Sequence, residues 1–156
     1  MKELFGNYAG NGKIKAISVR PQRRADVIFK NEVKAIAGIG LEGDRYRAKD
    51  GARQATLIQQ EHLNAIASFL NKSSIDPALT RRNIVVQGLN LLTLKGKKFR
   101  IGEALFEYSG ECQPCSRMEE NLGIGGYNAM RGHGGITARI LETGLIRVND
   151  ELVPLE

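Results

Sequence analysis

The chain has 156 residues and a net charge of +6, with 42% hydrophobic and 26% charged residues. These values are typical of a soluble globular domain that buries its core without disulfides or a structural metal. The chain has no run of about 18 apolar residues and no N-terminal stretch typical of a signal peptide. We therefore expect a cytoplasmic protein without a membrane segment, whose two cysteines are free thiols.

The positive charge is unevenly distributed along the chain. No acidic residue lies between Asp76 and Glu103, but six basic residues do, and outside this segment basic and acidic residues balance. Such a local excess favours an anionic ligand, either a phosphate-bearing small molecule or a nucleic-acid backbone. A solvated basic face is the simpler alternative.

Apolar patterns in the first half of the chain predict several strands and two helices. Residues 1–12 resemble a flexible tail. Strands are predicted at residues 14–19, 33–39, 54–58 and 84–86. Leu63, Ile66, Ala67 and Leu70 share one face of a helix predicted within residues 59–71. Asp76 followed by Pro77 predicts the start of a short helix.

The second half of the chain continues the strand-rich pattern. Strands are predicted within residues 99–109 around Gly102, and a helical piece at residues 127–130. Residues 136–141 and 145–148 flank Thr143 and Gly144 and predict a hairpin. No internal repeat or linker is present, so residues 13–156 are predicted to form a single, mainly β (α+β) domain. We expect a β-barrel with a few short helices packed on it.

The two cysteines of the chain lie three residues apart in Gly110–Met118, written GECQPCSRM. A zinc site needs two more ligands, and the chain offers only His62 and His133, so no zinc is predicted. A dithiol redox pair normally follows a strand of a βαβ unit, which is lacking here. Two inert core thiols remain a further alternative, although the segment is polar.

The fourth interpretation is a single functional thiolate at Cys115. Pro114 suits the first turn of a helix that continues through Ser116 and Arg117. Cys115 would then lie in that first turn, where backbone N–H groups and the helix dipole favour the thiolate. Arg117 would add positive charge. Such a thiolate can act as a nucleophile, carry sulfur or bind a soft metal.

Taken in order, six stretches resemble the MOSC domain, which is named after the C-terminal domain of molybdenum-cofactor sulfurase. No single stretch is decisive, but their order and spacing cover nearly the whole chain. They are GLEGDR (40–45), RQATLI (53–58), RRNIVVQGLNL (81–91), FRIGEALFE (99–107), CQPC (112–115) and ARILETGLIRVNDEL (138–152).

The resemblance implies a MOSC-type β-barrel and an essential cysteine, matched here by Cys115, that transfers sulfur or ligates molybdenum. It implies that Arg81 and Asn83 hold the pterin and phosphate of the molybdenum cofactor, molybdopterin. Gln59 lies where related enzymes present cofactor-facing groups, although a small hydroxyl residue is usual there. Arg45 in GLEGDR and Arg117 complete the predicted cofactor-binding set.

The family's activities leave several functions open. Members reduce N-hydroxylated substrates or hand sulfur to a cofactor or to a metal–sulfur cluster. The partners implied are an anionic pterin or phosphate ligand and a redox partner or cysteine desulfurase, a pyridoxal-phosphate-dependent sulfurase. The alternative from another class is a basic nucleic-acid-binding module. Against it, aromatic residues make up only 6% of the chain, tryptophan is absent and no nucleic-acid-binding signature occurs.

Overall fold

The computed structural model describes residues 1–45 and 49–156. Within them, eleven strands alternate with short helices. The strands are β1 (Gly12–Val19), β2 (Ile28–Lys30), β3 (Glu32–Ile36), β4 (Gly40–Leu41), β5 (Ala55–Gln59), β6 (Ile84–Gln87), β7 (Lys98–Ile101), β8 (Ala104–Glu111), β9 (Ile136–Glu142), β10 (Gly144–Arg147) and β11 (Glu151–Pro154). The α-helices are α1 (Gln60–Phe69), α2 (Arg117–Leu122) and α3 (Gly126–Met130). The 3-10 helices span Lys2–Gly6, Pro77–Thr80 and Leu91–Leu94.

Seven strands close into a barrel in the order β1-β11-β7-β8-β9-β5-β6, and β6 returns to β1. Strands β5 and β6 run parallel, whereas the other neighbours are antiparallel. Strand β2 extends the sheet beyond β1, and β10, β3 and β4 form a separate three-stranded sheet. The prediction of a mainly β barrel with short helices is therefore confirmed.

Two hydrophobic clusters hold this architecture together. The larger fills the barrel and includes Phe99 and Phe106, whose rings stack with their centroids 5.5 Å apart. The smaller lies outside, where α1, α2 and α3 cover β5 and β6, and it includes Ile58, Ile66 and Met118. Strand β5 is buried along its whole length because the barrel interior and these helices cover its two faces.

The predicted hairpin around Thr143 and Gly144 is wrong, although both of its strands exist. Strand β9 pairs with β5 and β8 in the barrel, whereas β10 pairs with β3 in the smaller sheet. The Thr143 hydroxyl accepts a hydrogen bond from the Ala37 amide at 2.9 Å. Thr143 therefore marks the point where the chain leaves the barrel and joins the second sheet.

The N-terminal segment, predicted to be flexible, contacts the barrel through defined side chains. The Tyr8 hydroxyl donates to the carbonyl oxygen of Thr93 at 3.1 Å, and the Lys97 ammonium lies 4.7 Å from the centre of the Tyr8 ring. The first barrel strand begins at Gly12. Among the described residues, no helix combines the length and the apolar character that crossing a bilayer requires.

Candidate functional site

The cysteines lie in the loop between β8 and α2, and their environments differ. Cys112 is buried, with 3% of its surface exposed, and its amide donates to the Gly135 carbonyl oxygen at 2.8 Å. Cys115 is exposed. The helix predicted to begin at Pro114 begins instead at Arg117, after a cap at Ser116. Cys115 therefore precedes the first turn, and its carbonyl oxygen accepts from the Met118 amide at 2.9 Å.

Cys115 opens onto a cavity of about 350 Å³ that is lined mainly by arginines. Cys115, Gln113 and Met118 are its other lining residues, and no carboxylate is among them in the part of the chain that the structure describes. The arginines are Arg20, Arg23, Arg24, Arg45, Arg53, Arg81, Arg82 and Arg117. A concave surface with eight guanidinium groups and one accessible thiol is suited to an anion that also engages sulfur.

The arginines reach the cavity from five separate segments of the chain. Arg20 follows β1, and Arg23 and Arg24 belong to the loop that leads to β2. The others flank β4, β5 and β6 or begin α2. Of the residues predicted to bind the cofactor, Arg45, Arg81 and Arg117 are brought together with Cys115. The run RPQRR at residues 20–24 was the sequence feature that could have revealed the first three arginines.

Arg81 has an unusual backbone and an incompletely satisfied side chain. Its φ angle is +59°, in the left-handed region that non-glycine residues rarely adopt. One terminal nitrogen, Nη2, donates to the carbonyl oxygen of Ala25 at 2.8 Å, while Nε is buried and has no hydrogen-bond partner among residues 1–45 and 49–156. Burial, followed by the charges of Arg20 and Arg117, lowers the pKa of Arg81. An anion at this position would relieve both the repulsion and the missing hydrogen bond.

Comparison with known proteins decides the family. The sequence profile of the MOSC domain matches residues 28–153. The chain belongs to the MOSC family. No curated protein matches its sequence.

Solved structures share the fold of this MOSC domain. The YuaD protein from Bacillus subtilis superposes with a TM-score of 0.81 at 19% identity, over 93% of this chain and 96% of that one. YiiM from Escherichia coli gives a TM-score of 0.69 at 22% identity, over 92% of this chain and 70% of that one. YiiM from Geobacillus stearothermophilus gives 0.71 at 19% identity, over 93% and 75%.

Arg82 connects the cysteine loop of this MOSC domain to its surroundings. Its side chain is buried, and Nε donates to the Gly134 carbonyl oxygen at 2.7 Å. Nη1 donates to the carbonyl oxygen of Thr80 at 2.9 Å, and Nη2 to that of Cys112 at 3.5 Å. Burial lowers the pKa of this guanidinium, and the nearby Cys112 opposes the shift. Arg82 thus lines the cavity and also fixes the loop that carries Cys115.

Asn83 and Gln59 do not line the cavity of the MOSC domain, and both amides are engaged elsewhere. The Asn83 side-chain oxygen accepts from the amide and the hydroxyl of Thr56, at 3.0 and 3.1 Å, and its nitrogen donates to the Ser18 carbonyl oxygen. The Gln59 side-chain oxygen accepts from the Leu91 amide at 2.9 Å. In this structure these two side chains tie strands and loops of the barrel together.

The basic segment at residues 76–103 does not form one surface on the MOSC domain. Arg81 and Arg82 line the cavity, but Arg100 pairs with Glu142 at 3.0 Å. Lys97 contacts the N-terminal segment, where it donates to Phe5 and Tyr8. The cavity's charge therefore comes largely from arginines outside that segment. Within residues 1–45 and 49–156, no group of three or more potential metal ligands is found.

Proposed function

We propose that this MOSC domain binds the phosphate-bearing molybdenum cofactor, molybdopterin, in the arginine-lined cavity, with Cys115 as its sulfur ligand. The observation that carries the proposal is the position of Cys115, whose exposed thiol lines a cavity with eight arginines. The volume of about 350 Å³ favours a small anion over a nucleic-acid backbone.

The residues present fit the chemical groups of such a cofactor. Guanidinium forks match the oxygens of a phosphate, and the buried Nε of Arg81 is a donor without an acceptor in the described part of the chain. The thiolate of Cys115 is a soft ligand of the kind that sulfur-bound molybdenum takes. When bound, molybdenum supplies the two-electron redox chemistry that reduction of an N-hydroxylated substrate requires. Arg82 would hold the cysteine loop in place, and Arg81 and Arg117 would hold the phosphate.

Sulfur transfer is the second candidate, and the exposure of Cys115 favours it. The Cys115 thiolate would attack the outer sulfur of a persulfide on a cysteine desulfurase. A new S–S bond would form at Cys115, the S–S bond of the donor would break, and the donor cysteine would leave as a thiolate. The product is a persulfide on Cys115, and the surrounding arginines would stabilise its negative charge.

Paired cysteine variants test both candidates in one preparation. Wild-type protein, Cys115→Ser and Cys112→Ser are purified from a molybdenum-replete host and examined for molybdenum content and for persulfide by mass spectrometry. We expect metal with a pterin, or a persulfide in its place, in the wild type and in Cys112→Ser, and neither in Cys115→Ser. Equal loading of Cys115→Ser would overturn the role of that residue. An empty wild-type protein that retards DNA would instead support the nucleic-acid-binding alternative.

A further inference from the structure

Strand β2 is an exposed edge of the large sheet. It is the last strand in the sheet order, and among the strands that the structure describes its one partner is β1. All three of its residues are exposed, including 45% of Ile28 and 49% of Phe29. Unpaired edges with exposed apolar side chains tend to pair with another strand. Here the short edge DVIFK, residues 26–30, carries an acid at one end and a base at the other.

The hydrogen bonds of β1 determine which backbone groups of β2 face outward. Ser18 is opposite Phe29. On the other side of β1, the Ser18 amide donates to the carbonyl oxygen of Asn83, and the Ser18 carbonyl oxygen accepts from the Asn83 side-chain nitrogen. The Ser18–Phe29 pair is therefore not hydrogen-bonded, and the backbone N–H and C=O of Phe29 point to the open edge. Val27 lies two residues earlier, so its backbone N–H and C=O point to the same open edge.

No partner for these outward groups is present among the described residues. Residues 27–29 make no backbone hydrogen bond there outside the pairing with β1. Asp26 and Lys30 form no ion pair within 4.0 Å in that part of the chain, although the charge of Asp26 also acts on Arg81. The edge therefore offers backbone donors and acceptors, apolar side chains and two opposite charges at once.

We propose that two copies of this chain pair through β2, antiparallel and about a two-fold axis at Ile28. In this register Val27 of each copy lies opposite Phe29 of the other, and their outward N–H and C=O groups can form four hydrogen bonds. Asp26 of each copy lies opposite Lys30 of the other, which gives two ion pairs. The two Ile28 side chains meet on the axis.

Each of the two neighbouring antiparallel registers is disfavoured both by charge and by backbone geometry. An axis at Phe29 would place Asp26 opposite Glu32 of the other copy, so two pairs of like charges would face each other. It would also require Asn31 as a hydrogen-bonding residue, and the Asn31 carbonyl oxygen already accepts from the Val148 amide at 2.9 Å. An axis at Val27 would place Arg24 opposite Lys30 of the other copy. It would also require Ala25, whose amide already donates to Gln22 and whose carbonyl oxygen accepts from Arg81. Backbone geometry and charge thus favour the axis at Ile28. Because the strand is short, we expect a weak dimer that depends on concentration.

Charge reversal at the two ends of the edge provides a selective test. Asp26→Lys places two lysines opposite each other, and Lys30→Asp places two aspartates opposite each other. The double variant Asp26→Lys/Lys30→Asp restores both ion pairs with exchanged positions. An equimolar mixture of the two single variants restores them only in a heterodimer. Circular dichroism of each variant checks that the fold is retained.

Sedimentation velocity over a series from micromolar to submillimolar protein gives the readout, with native mass spectrometry to identify heterodimers. We expect wild-type protein and the double variant to dimerise, each single variant to remain monomeric, and the mixture to give heterodimers. A wild-type protein that stays monomeric at the highest concentration would overturn the proposal. So would single variants that dimerise as tightly as the wild type, or a mixture that fails to recover dimers.

Discussion

The Nε atom of Arg82 donates to the carbonyl oxygen of Gly134 at 2.7 Å, and this contact joins a buried charge to the loop before β9. The same guanidinium also donates to the carbonyl oxygen of Cys112, and the amide of Cys112 donates to the carbonyl oxygen of Gly135. Two loops distant in sequence are therefore locked to each other around one side chain. Cys115 depends on this arrangement, because its loop is anchored at Cys112.

Replacing Arg82 with methionine should destabilise the protein strongly. The substitution keeps much of the side-chain length but leaves the carbonyls of Thr80, Cys112 and Gly134 without their donor. Unpaired buried polar groups cost about 1–3 kcal/mol each when solvent does not replace the partner. Because methionine also removes the cost of burying a charge, part of this is offset, and we expect a net loss of about 2–4 kcal/mol. Urea unfolding measures this change. Arg100→Met, which removes an exposed pair with Glu142, should cost less than about 1 kcal/mol and serves as the control.

Gly135 should not tolerate alanine, whereas Gly132 should. Both residues have positive φ angles, +87° and +81°, so backbone strain of about 1–2 kcal/mol is common to the two substitutions. A Cβ atom at Gly135 would overlap the backbone of Leu57, but at Gly132 it would meet nothing within 4 Å. We expect Gly135→Ala to lower the unfolding temperature much further than Gly132→Ala. Equal unfolding temperatures would show that the close approach of the two backbones is not needed.

Arg81→Ala should weaken the binding of inorganic phosphate to the cavity. The substitution removes a charge-assisted donor, which contributes on the order of 1.5–3 kcal/mol when desolvated. Titration calorimetry on wild-type protein, Arg81→Ala and Arg100→Ala gives the comparison. Arg100 is a suitable control because it is also basic but does not line the cavity. Equal phosphate affinities of the wild-type protein and Arg81→Ala would show that Arg81 does not contribute to anion binding.

Cys115 should react with thiol reagents before Cys112. The reason is accessibility, since Cys115 is exposed and only 3% of Cys112 is. For each reagent, the rate with Cys115 is divided by its rate with a free thiol in solution. This ratio should be larger for the anionic reagent 5,5′-dithiobis(2-nitrobenzoate) than for neutral iodoacetamide, because the arginines attract the anion. Added salt should reduce that advantage. Peptide mapping by mass spectrometry identifies the modified residue, and first modification at Cys112 would contradict the structure.

His62 should make the protein less stable in mild acid. Burial, and next the neighbouring His133, lower the pKa of His62 from its ordinary value of 6.5. The unfolded chain therefore takes up a proton at a higher pH than the folded protein does. The contribution of His62 to the free energy of unfolding is therefore complete above pH 6.5, and it is lost as the pH falls through 6.5 toward the lower pKa of the folded state. His62→Gln should flatten this dependence in urea titrations at several pH values, and an unchanged slope would assign the effect to other groups.

The elements predicted correctly are those whose patterns are local. Strands β1 and β5 and helix α1 follow from apolar spacing within a few residues, and Asp76 caps the predicted short helix by accepting from Ala78. The prediction of a hairpin at residues 136–148 was wrong because a short turn between two strands does not determine which strands they pair with. Strand β10 buries its apolar face against β3, and that choice depends on a strand more than a hundred residues away.

The candidate site was only partly visible in the sequence for a similar reason. Cys115, Arg45 and Arg81 belong to stretches that resemble the family, Arg117 follows the CQPC stretch, and the structure gathers all four at one cavity. The arginines at positions 20, 23, 24 and 53 were not predicted, because nothing local in the sequence shows that the fold directs them to the same cavity as Cys115. For Asn83 and Gln59, the residue type predicts a hydrogen-bonding side chain but not the direction in which it points. Their side-chain oxygens accept from Thr56 and Leu91 instead of facing the cavity.

The pairing of β1 with β11 has a consequence for the order of folding. The seam joins Gly12 to Leu152, so the first barrel strand must wait for the last before the barrel can close. During synthesis, β1 would remain without this neighbour until β11 has left the ribosome, and contacts of such long range form slowly. Ribosome-bound chains truncated before Glu151 should therefore expose the edge of β1 that pairs with β11, which limited proteolysis would detect as faster cleavage near Gly12.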